Sequence, residues 1–252
     1  MTNPPPQLTT DAMWVGCAGW SLASKDASSF PGDGTHLERY ARVFPCTEIN
    51  SSFYRSHQEK TYARWAASVP ESFRFSVKMP RSITHELRLR QCESLLLAFL
   101  SEVAALGPTL GCIIIQLPPS LALDVRTARA FFSLLRKHTP LPVVCEPRHA
   151  TWFTPKGANV LSEAGVAYVW ADPSPVAGVE QLQDDQALLY LRLHGAPQVY
   201  YSAYGDAFIE GVASRMRLAR SEGKDAWCIF DNTARGEAVP NALTLMRRLG
   251  KG

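Results

Sequence analysis

The feature that most constrains this chain is a repeated alternation of short strand-like runs with stretches of helical spacing. Most of the strand-like runs are rich in aliphatic, aromatic or β-branched residues and end near Gly, Pro, Asn or Asp. Eight such runs are present: Trp14–Trp20, Cys46–Tyr54, Phe73–Pro80, Gly111–Pro118, Pro142–Arg148, Ala167–Asp172, Leu188–Gly195 and Ala226–Asn232. The alternating order predicts a parallel sheet, and eight repeats predict its closure into a single (β/α)8 TIM barrel.

The stretches between these runs place apolar residues on one helix face. Two of them follow the i, i+3, i+4, i+7 pattern, and a third helix is expected to end at Gly107-Pro108. Asp124 and Asp206 are positioned to cap the helices that follow them, and a last helix is expected over about Asn241–Leu249. The sixth unit is the exception, because Pro173–Gln186 contains two prolines and no clear helical stripe. We therefore expect the most irregular connection there.

Length and composition are those of one ordinary globular domain. The 252 residues suit a single barrel, and 46% hydrophobic and 19% charged residues leave no linker or second composition. We expect residues 1–12, which are polar and proline-rich, to be a disordered lead, and residues 13–252 to form the barrel. No apolar run is long enough to cross a bilayer, so a membrane partner is not expected.

Charge and cysteine usage narrow the function classes further. A net charge of +3 is too small to indicate nucleic-acid binding, although a local basic patch would still permit it. The six cysteines contain no C-x-x-C pair and mostly lie in apolar runs, which indicates buried thiols in a reducing compartment. The sequence therefore predicts a soluble, cytoplasmic protein and leaves its oligomeric state open.

Several motifs, in order along the chain, resemble those of the YecE-like family, also called domain of unknown function family 72. They are Val15–Ser21, Glu48–Arg55, Phe73–Lys78, Ile83–His85, Gln116–Pro119, Glu146–Trp152, Leu191–Gly195, Phe230–Asn232 and Asn241-Ala242. The resemblance implies a TIM barrel, which agrees with the strand count, and implies no substrate. Asp231 departs from the family, which more often shows Asn there. The extra carboxylate makes a purely anion-binding pocket less expected.

The polar residues of the strands fall on one side when they are sorted with a period of two. In Leu188–Gly195, Tyr190, Arg192 and His194 share a side, and the neighbouring units predict that this sheet is buried on both faces. The same sorting groups Glu48 with Asn50 and Ser52, Arg74 with Ser76 and Lys78, and Glu146 with Arg148. Because helices cover the outside, we expect the polar sides to face the barrel axis near its carboxyl end.

These positions define the candidate site. We expect catalytic roles for Glu146, His194 and Lys78. We expect substrate-binding roles for Asn50, Tyr54, Gln116, Arg148, His149, Trp152, Arg192 and Asn232. The alternative for the charged residues is an internal salt-bridge network that only fills the barrel. Trp152 fits a lid or a core wall equally well, and His85 fits either a functional role or a plain loop position.

Two loops add weaker candidates. Tyr200, Tyr201 and Tyr204 follow the seventh strand and could stack on a sugar or a base, or pack as a surface loop. Residues Thr233–Gly236 follow the eighth strand, where barrel enzymes often bind phosphate. There is no G-x-G-x-x-G or Walker motif, so no nucleotide cofactor is predicted, and no nucleophile elbow surrounds Cys145.

Three hypotheses remain open at this point. The leading one is an enzyme that acts by general acid/base catalysis on a small polar, anionic or sugar-like substrate. The second is a metal-dependent hydrolase or nuclease that uses Glu146, Asp172 and His194 as ligands. The third is a non-catalytic protein that binds nucleic acid or a partner.

Overall fold

Eight parallel strands form a nearly closed barrel in the computed structural model, which describes residues 13–177 and 187–250. The strands are β1 (Met13–Cys17), β2 (Cys46–Ile49), β3 (Arg74–Lys78), β4 (Leu110–Gln116), β5 (Val143–Glu146), β6 (Ala167–Asp172), β7 (Leu188–Leu193) and β8 (Asp225–Phe230). From β2 to β8 each strand pairs with its sequence neighbours, and β8 also pairs with β1. A bridge between Ala18 and Glu48 joins β1 to β2. The predicted fold class is therefore confirmed.

Helices connect the strands. They are α1 (His36–Ala41), α2 (Glu59–Ala67), α3 (Glu93–Ala104), α4 (Val125–His138), α5 (Pro155–Glu163), α6 (Asp206–Ser221) and α7 (Ala238–Arg248). Asp124 caps α4 as predicted, because its carboxylate accepts from the Thr127 amide at 3.0 Å. The predicted Asp206 cap is wrong: Gly205 occupies the N-cap position and α6 begins at Asp206. Asp206 still lies in the first turn, where a carboxylate favours the helix dipole.

Two predicted segments fall outside the described residues. The lead at residues 1–12 is one of them, so its expected disorder stays a prediction. Most of the irregular sixth connection, Pro173–Gln186, is the other, and its described part, residues 173–177, contains no helix. None of the helices in the described ranges combines the length and apolar character needed to cross a membrane.

The seam between β1 and β2 depends on a close backbone approach. A Cβ atom at Gly16 would lie 2.0 Å from the Cys46 carbonyl oxygen, so only glycine fits there. The Tyr40 hydroxyl from α1 donates to that same carbonyl at 3.0 Å and accepts from the Cys17 amide at 2.7 Å. Helix α1 thus ties together the two strands that have the fewest hydrogen bonds between them.

The barrel interior is apolar near its amino end and charged near its carboxyl end. Trp14, Trp227 and Ile229 belong to an inner apolar cluster, and the Trp227 ring stacks on Tyr190 with centroids 5.7 Å apart. Charged side chains therefore face the axis near the carboxyl end of the barrel, while apolar side chains fill the axis near its amino end. All six cysteines are buried and unpaired, as predicted. The lower part of the barrel is therefore filled by apolar side chains.

The second strand ends earlier than its sequence pattern predicts. It stops at Ile49, and residues Ser51–Phe53 form a 3₁₀ turn. The Ser52 hydroxyl donates to the Ile49 carbonyl at 3.0 Å and to the Lys78 carbonyl at 2.7 Å. The grouping of Ser52 with Glu48 on one strand face is therefore wrong, because the period of two does not continue through a turn. The turn instead brings Phe53 against Lys78.

Candidate functional site

Arg192 lies at the centre of a buried ion network at the carboxyl end of the barrel. It binds Glu48 through two hydrogen bonds, from Nε to Oε2 at 2.9 Å and from Nη2 to Oε1 at 2.6 Å. It also donates to Glu146, and to Asp231 Oδ2 at 3.1 Å. Arg192 and Glu48 are fully buried, so their charges are stable only when they are paired. One guanidinium thus satisfies carboxylates from three other parts of the barrel.

Glu146 is shared between two arginines. Arg148 Nε donates to Glu146 Oε1 at 2.8 Å, and Arg148 Nη2 donates to Gln116 Oε1 at 3.2 Å. Burial raises the pKa of the Glu146 carboxyl, but attraction by Arg192, together with His194 and Arg148, outweighs it and holds the pKa well below its usual range. Glu146 is therefore ionised and paired, which makes it a poor proton donor.

His194 connects two of these carboxylates. Its Nδ1 lies 3.0 Å from Asp231 Oδ2, within hydrogen-bond distance, and its Nε2 lies 3.6 Å from Glu146 Oε1, which is beyond it. Burial lowers the pKa of His194, but its interactions with Asp231 and Glu146 outweigh burial and raise it above the usual value. The buried Nε2 has no hydrogen-bond partner among the described residues. A protonated imidazole here has one N–H free for a ligand.

Lys78 is the basic residue of the site that has no ionic partner within the described residues. It is 6% exposed, and its Nζ forms no hydrogen bond or ion pair there. The Nζ lies 4.2 Å from the centroid of the Phe53 ring. Burial and the nearby Arg192 guanidinium lower the pKa of the Lys78 amine to about 8. A substantial fraction of this amine is therefore neutral near physiological pH.

Asn50 and His85 complete the edge of the site. Asn50 Nδ2 donates to Asp231 Oδ1 at 3.5 Å, while its buried Oδ1 has no partner in the described part of the chain. His85 packs its edge on Phe53 with centroids 4.9 Å apart. Burial, together with Lys78 and Arg148, lowers the pKa of His85 to about 4. His85 thus interacts electrostatically with Lys78 and Arg148, and it is uncharged at neutral pH.

The structure brings together most of the predicted site. Lys78, Glu146 and His194 lie at the ends of three strands, and Glu146 and Asp231 influence the pKa of both Lys78 and His194. The predicted binding residues that join them are Asn50, Gln116, Arg148 and Arg192. Asp231 was not among the predicted site residues. Its parity with Ile229, which faces the axis, was the signal that could have identified it.

Four predicted binding residues lie elsewhere or contact other partners. Tyr54 is 74% exposed, and His149 Nδ1 accepts from the Thr151 amide at 3.2 Å, which caps a short turn. Of the two alternatives for Trp152, the structure favours the core wall over the lid: the side chain is buried in the outer core, where its indole N–H donates to the Leu121 carbonyl at 2.9 Å. Asn232 Nδ2 donates to the Ser202 carbonyl at 2.9 Å and to Asn241 Oδ1 at 3.0 Å, so Asn232 holds the loop after β7 against α7.

The proposed metal ligands do not converge. Asp172 pairs in register with Leu193, whose side chain packs in the outer core, so Asp172 points away from the axis that Arg192 faces. Its carboxylate accepts from the Tyr204 hydroxyl at 2.9 Å. Across residues 13–177 and 187–250, no three His, Cys, Asp or Glu side chains are grouped to hold a metal ion. The prediction of a Glu146, Asp172 and His194 metal site is therefore wrong.

The loop tyrosines have separate environments. Tyr200 places its ring edge-on to His194 with centroids 5.9 Å apart, and Tyr201 lies under the Arg235 guanidinium at 5.4 Å. Tyr204 is buried, and its hydroxyl accepts from the Gly195 amide at 2.8 Å. Only Tyr200 of the three thus contacts a charged residue of the site. Phosphate binding at Thr233–Gly236 stays a prediction.

We expect Lys78 to titrate apart from the other lysines. After ¹³C-methylation of the lysine amines, one resonance should titrate with a pKa of about 8, while exposed lysines titrate near about 10.4. That resonance should be missing from the Lys78→Arg variant and present in Lys156→Arg, which removes an exposed lysine. If every resonance titrates above pH 10, Lys78 is not held in this environment.

Comparison with known proteins agrees with the fold. Residues 14–252 match the family model described as "Protein of unknown function DUF72". The YecE protein of Escherichia coli K12 is 38% identical over 84 residues, which is 33% of this chain and 31% of that protein, so the match spans about a third of that relative. The YunF protein of Bacillus subtilis is 21% identical over 94% of both chains.

Solved structures give the same result. A DUF72 family protein from Enterococcus faecalis aligns over 95% of this chain and 96% of its own, with a TM-score of 0.79 and 22% identity. One from Thermotoga maritima aligns over 95% of this chain and 100% of its own, with a TM-score of 0.78 and 21% identity. At these identities the likeness extends to the fold alone.

Proposed function

Because this chain belongs to the DUF72 family of proteins of unknown function, we propose a function from its own site. The protein is an enzyme that acts by general acid/base catalysis on a small polar, anionic or sugar-like substrate. The substrate occupies the carboxyl end of the barrel, next to Lys78, Glu146 and His194. The nature of the site residues, and not the family, supports this proposal.

One observation carries the proposal: the carboxylates of the site are paired, while three other polar atoms are left without partners. These atoms are Lys78 Nζ, which forms no hydrogen bond or ion pair in the described ranges, and the buried His194 Nε2 and Asn50 Oδ1, which have no hydrogen-bond partner there. Each of the two buried, unsatisfied atoms costs about 1–3 kcal/mol. A network that served only to fill the barrel would not be expected to keep both, whereas a bound ligand would satisfy them.

The unpaired atoms also suggest the chemistry of the ligand. Asn50 Oδ1 accepts a hydrogen bond and so suits a hydroxyl group, while Lys78 and His194 suit an anionic or carbonyl oxygen. The site contains four basic side chains and three carboxylates. The basic ones are Arg148, Arg192, Lys78 and His194, and the carboxylates are Glu48, Glu146 and Asp231. This excess of basic groups favours a substrate that carries negative charge.

The proton-transfer roles follow from the pKa directions. His194, with its raised pKa, acts as the general acid through Nε2, while Asp231 holds its other nitrogen. The neutral fraction of Lys78 acts as the base. Glu146 orients the His194 imidazole and favours its protonated form. General acid/base catalysis of this kind contributes about 10²–10⁴-fold to a rate.

A thermal-shift panel of sugar phosphates, hydroxy acids and free sugars tests the proposal. A ligand at about 100 times its Kd stabilises a protein by about 2.7 kcal/mol, which is roughly 5–10 °C for a chain of this size. We expect such a shift for wild type and for Arg129→Met, an exposed control, and its loss in His194→Ala. The proposal fails if no compound shifts the wild-type protein, or if His194→Ala responds equally.

A further inference from the structure

Lys78 combines three properties that a general base alone does not need. Its side chain is almost fully buried, and it has no carboxylate partner in the described part of the chain. Its Nζ rests on the face of Phe53, 4.2 Å from the ring centroid. A charged ammonium that serves only to bind an anion is usually better solvated or paired. A desolvated primary amine with no ionic partner is suited to act as a nucleophile.

We propose that Lys78 is a nucleophile that forms an imine with the carbonyl carbon of a small hydroxylated ketone or aldehyde. This inference rests on the proposed function, because it uses the same ligand position and names the class of substrate, and it gives neutral Lys78 the role of nucleophile in place of that of base. Lysines that form imines are activated by desolvation or by a neighbouring cation. Burial of Lys78 is the main factor here and the Arg192 guanidinium adds to it, and together they outweigh the opposite effect of Glu48, Glu146 and Asp231 on the pKa of the amine.

The reaction is balanced by groups already in the site. The lone pair on neutral Lys78 Nζ attacks the carbonyl carbon, the C=O π electrons move to oxygen, and a proton passes from the new ammonium nitrogen to this oxygen to give the carbinolamine. His194 Nε2 then protonates the carbinolamine hydroxyl, the nitrogen lone pair forms the C=N bond as water leaves, and the protonated imine can return its proton to His194. One carbonyl group and one amine thus give one C=N bond and one water molecule, with no oxidant, reductant or added cofactor.

The backbone and the neighbouring turn hold the amine in place. The Lys78 carbonyl accepts from the Ser52 hydroxyl at 2.7 Å, so the turn that carries Phe53 is fastened to the end of β3. Asp231 interacts electrostatically with both Lys78 and His194. The nucleophile and the acid therefore share one local field and lie on strands that meet at the same end of the barrel.

Borohydride trapping tests the inference. The full-length protein is incubated with dihydroxyacetone phosphate, glyceraldehyde or pyruvate, reduced with borohydride, digested and mapped by mass spectrometry. Near pH 8 the neutral fraction of Lys78 exceeds that of an exposed lysine by about a hundredfold. Burial and lower basicity reduce this advantage, so we expect at least about tenfold more reduced adduct at Lys78 than at Lys60, Lys137 or Lys156.

Two variants and one binding measurement make the outcomes distinct. The adduct should disappear in Lys78→Arg and persist at Lys78 in the matched control Lys156→Arg. If all three compounds label Lys78 no more than the exposed lysines, the imine inference is overturned. In that case, a thermal shift that depends on His194 would leave the proposed function standing, and the absence of such a shift would remove both.

Discussion

Replacing Arg192 by Met is expected to lower the free energy of unfolding by about 3–5 kcal/mol, the cost of leaving buried charges without their partner. Glu48 and Glu146 are 0% and 1% exposed, and both carboxylates accept hydrogen bonds from this one guanidinium. Asp231 loses a partner as well. At about 2–4 °C per kcal/mol, the melting temperature should fall by roughly 6–20 °C. Urea unfolding measures the loss directly.

Arg129→Met is the matched control for this change. Arg129 also forms two hydrogen bonds with one carboxylate, to Glu163 at 2.8 and 2.7 Å, but both side chains are more than half exposed. Exposed pairs of this kind contribute about 0–1 kcal/mol. Arg192→Lys should be nearly as damaging as Arg192→Met, because one ammonium cannot replace the planar set of donors. Equal small losses at positions 192 and 129 would contradict the account of the network.

Replacing Lys78 by Met is expected to have the opposite sign and to stabilise the protein at pH 7 by about 1–3 kcal/mol. The folded-state pKa of about 8 lies below the ordinary value of 10.5, so the folded chain holds this proton less well than the unfolded chain. Wild-type stability should therefore rise between about pH 8 and 10.5 as the unfolded chain loses the excess proton. The extra free energy of unfolding of Lys78→Met over wild type is complete below about pH 8 and decreases between about pH 8 and 10.5.

Urea unfolding of both proteins from pH 7 to 10.5 measures this difference, in which the titration of all other groups cancels. Lys156→Met, which removes an exposed lysine, should show no pH-dependent difference from wild type. A Lys78→Met variant that is less stable than wild type at pH 7 would mean that the ammonium holds the barrel together. Stability that is sacrificed at a ligand site is a common trade.

The barrel could be predicted from the sequence because its signal is repeated. Eight runs and the helical stripes between them each point to the same architecture, so an error at one end of one strand does not change the answer. The inward orientation of Tyr190, Arg192 and His194 also followed from the period of two, since β7 is a regular strand that pairs on both sides. Such positions are governed by local geometry.

Most of the corrected predictions concern residues beyond the regular strands. Ser52 and Trp152 lie in short turns, where side-chain direction is set by contacts with Lys78 and Leu121 that are distant in the sequence. Asp172 lies on a strand, but period two alone did not settle which face it shares, and the register with β7 did. The split between the paired carboxylates and the unpaired atoms Lys78 Nζ and His194 Nε2 depends on distances of tenths of an ångström, which no pattern encodes.

We propose that the ligand binds the unpaired atoms at the carboxyl end of the barrel. A crystal structure of the protein soaked with dihydroxyacetone phosphate tests this proposal. We expect density at the strand ends, within hydrogen-bond distance of His194 Nε2 and joined to, or in contact with, Lys78 Nζ. Density confined to another place, such as the surface hollow lined by Arg88, Ser120 and Trp152, with the Lys78 amine left vacant, would contradict it.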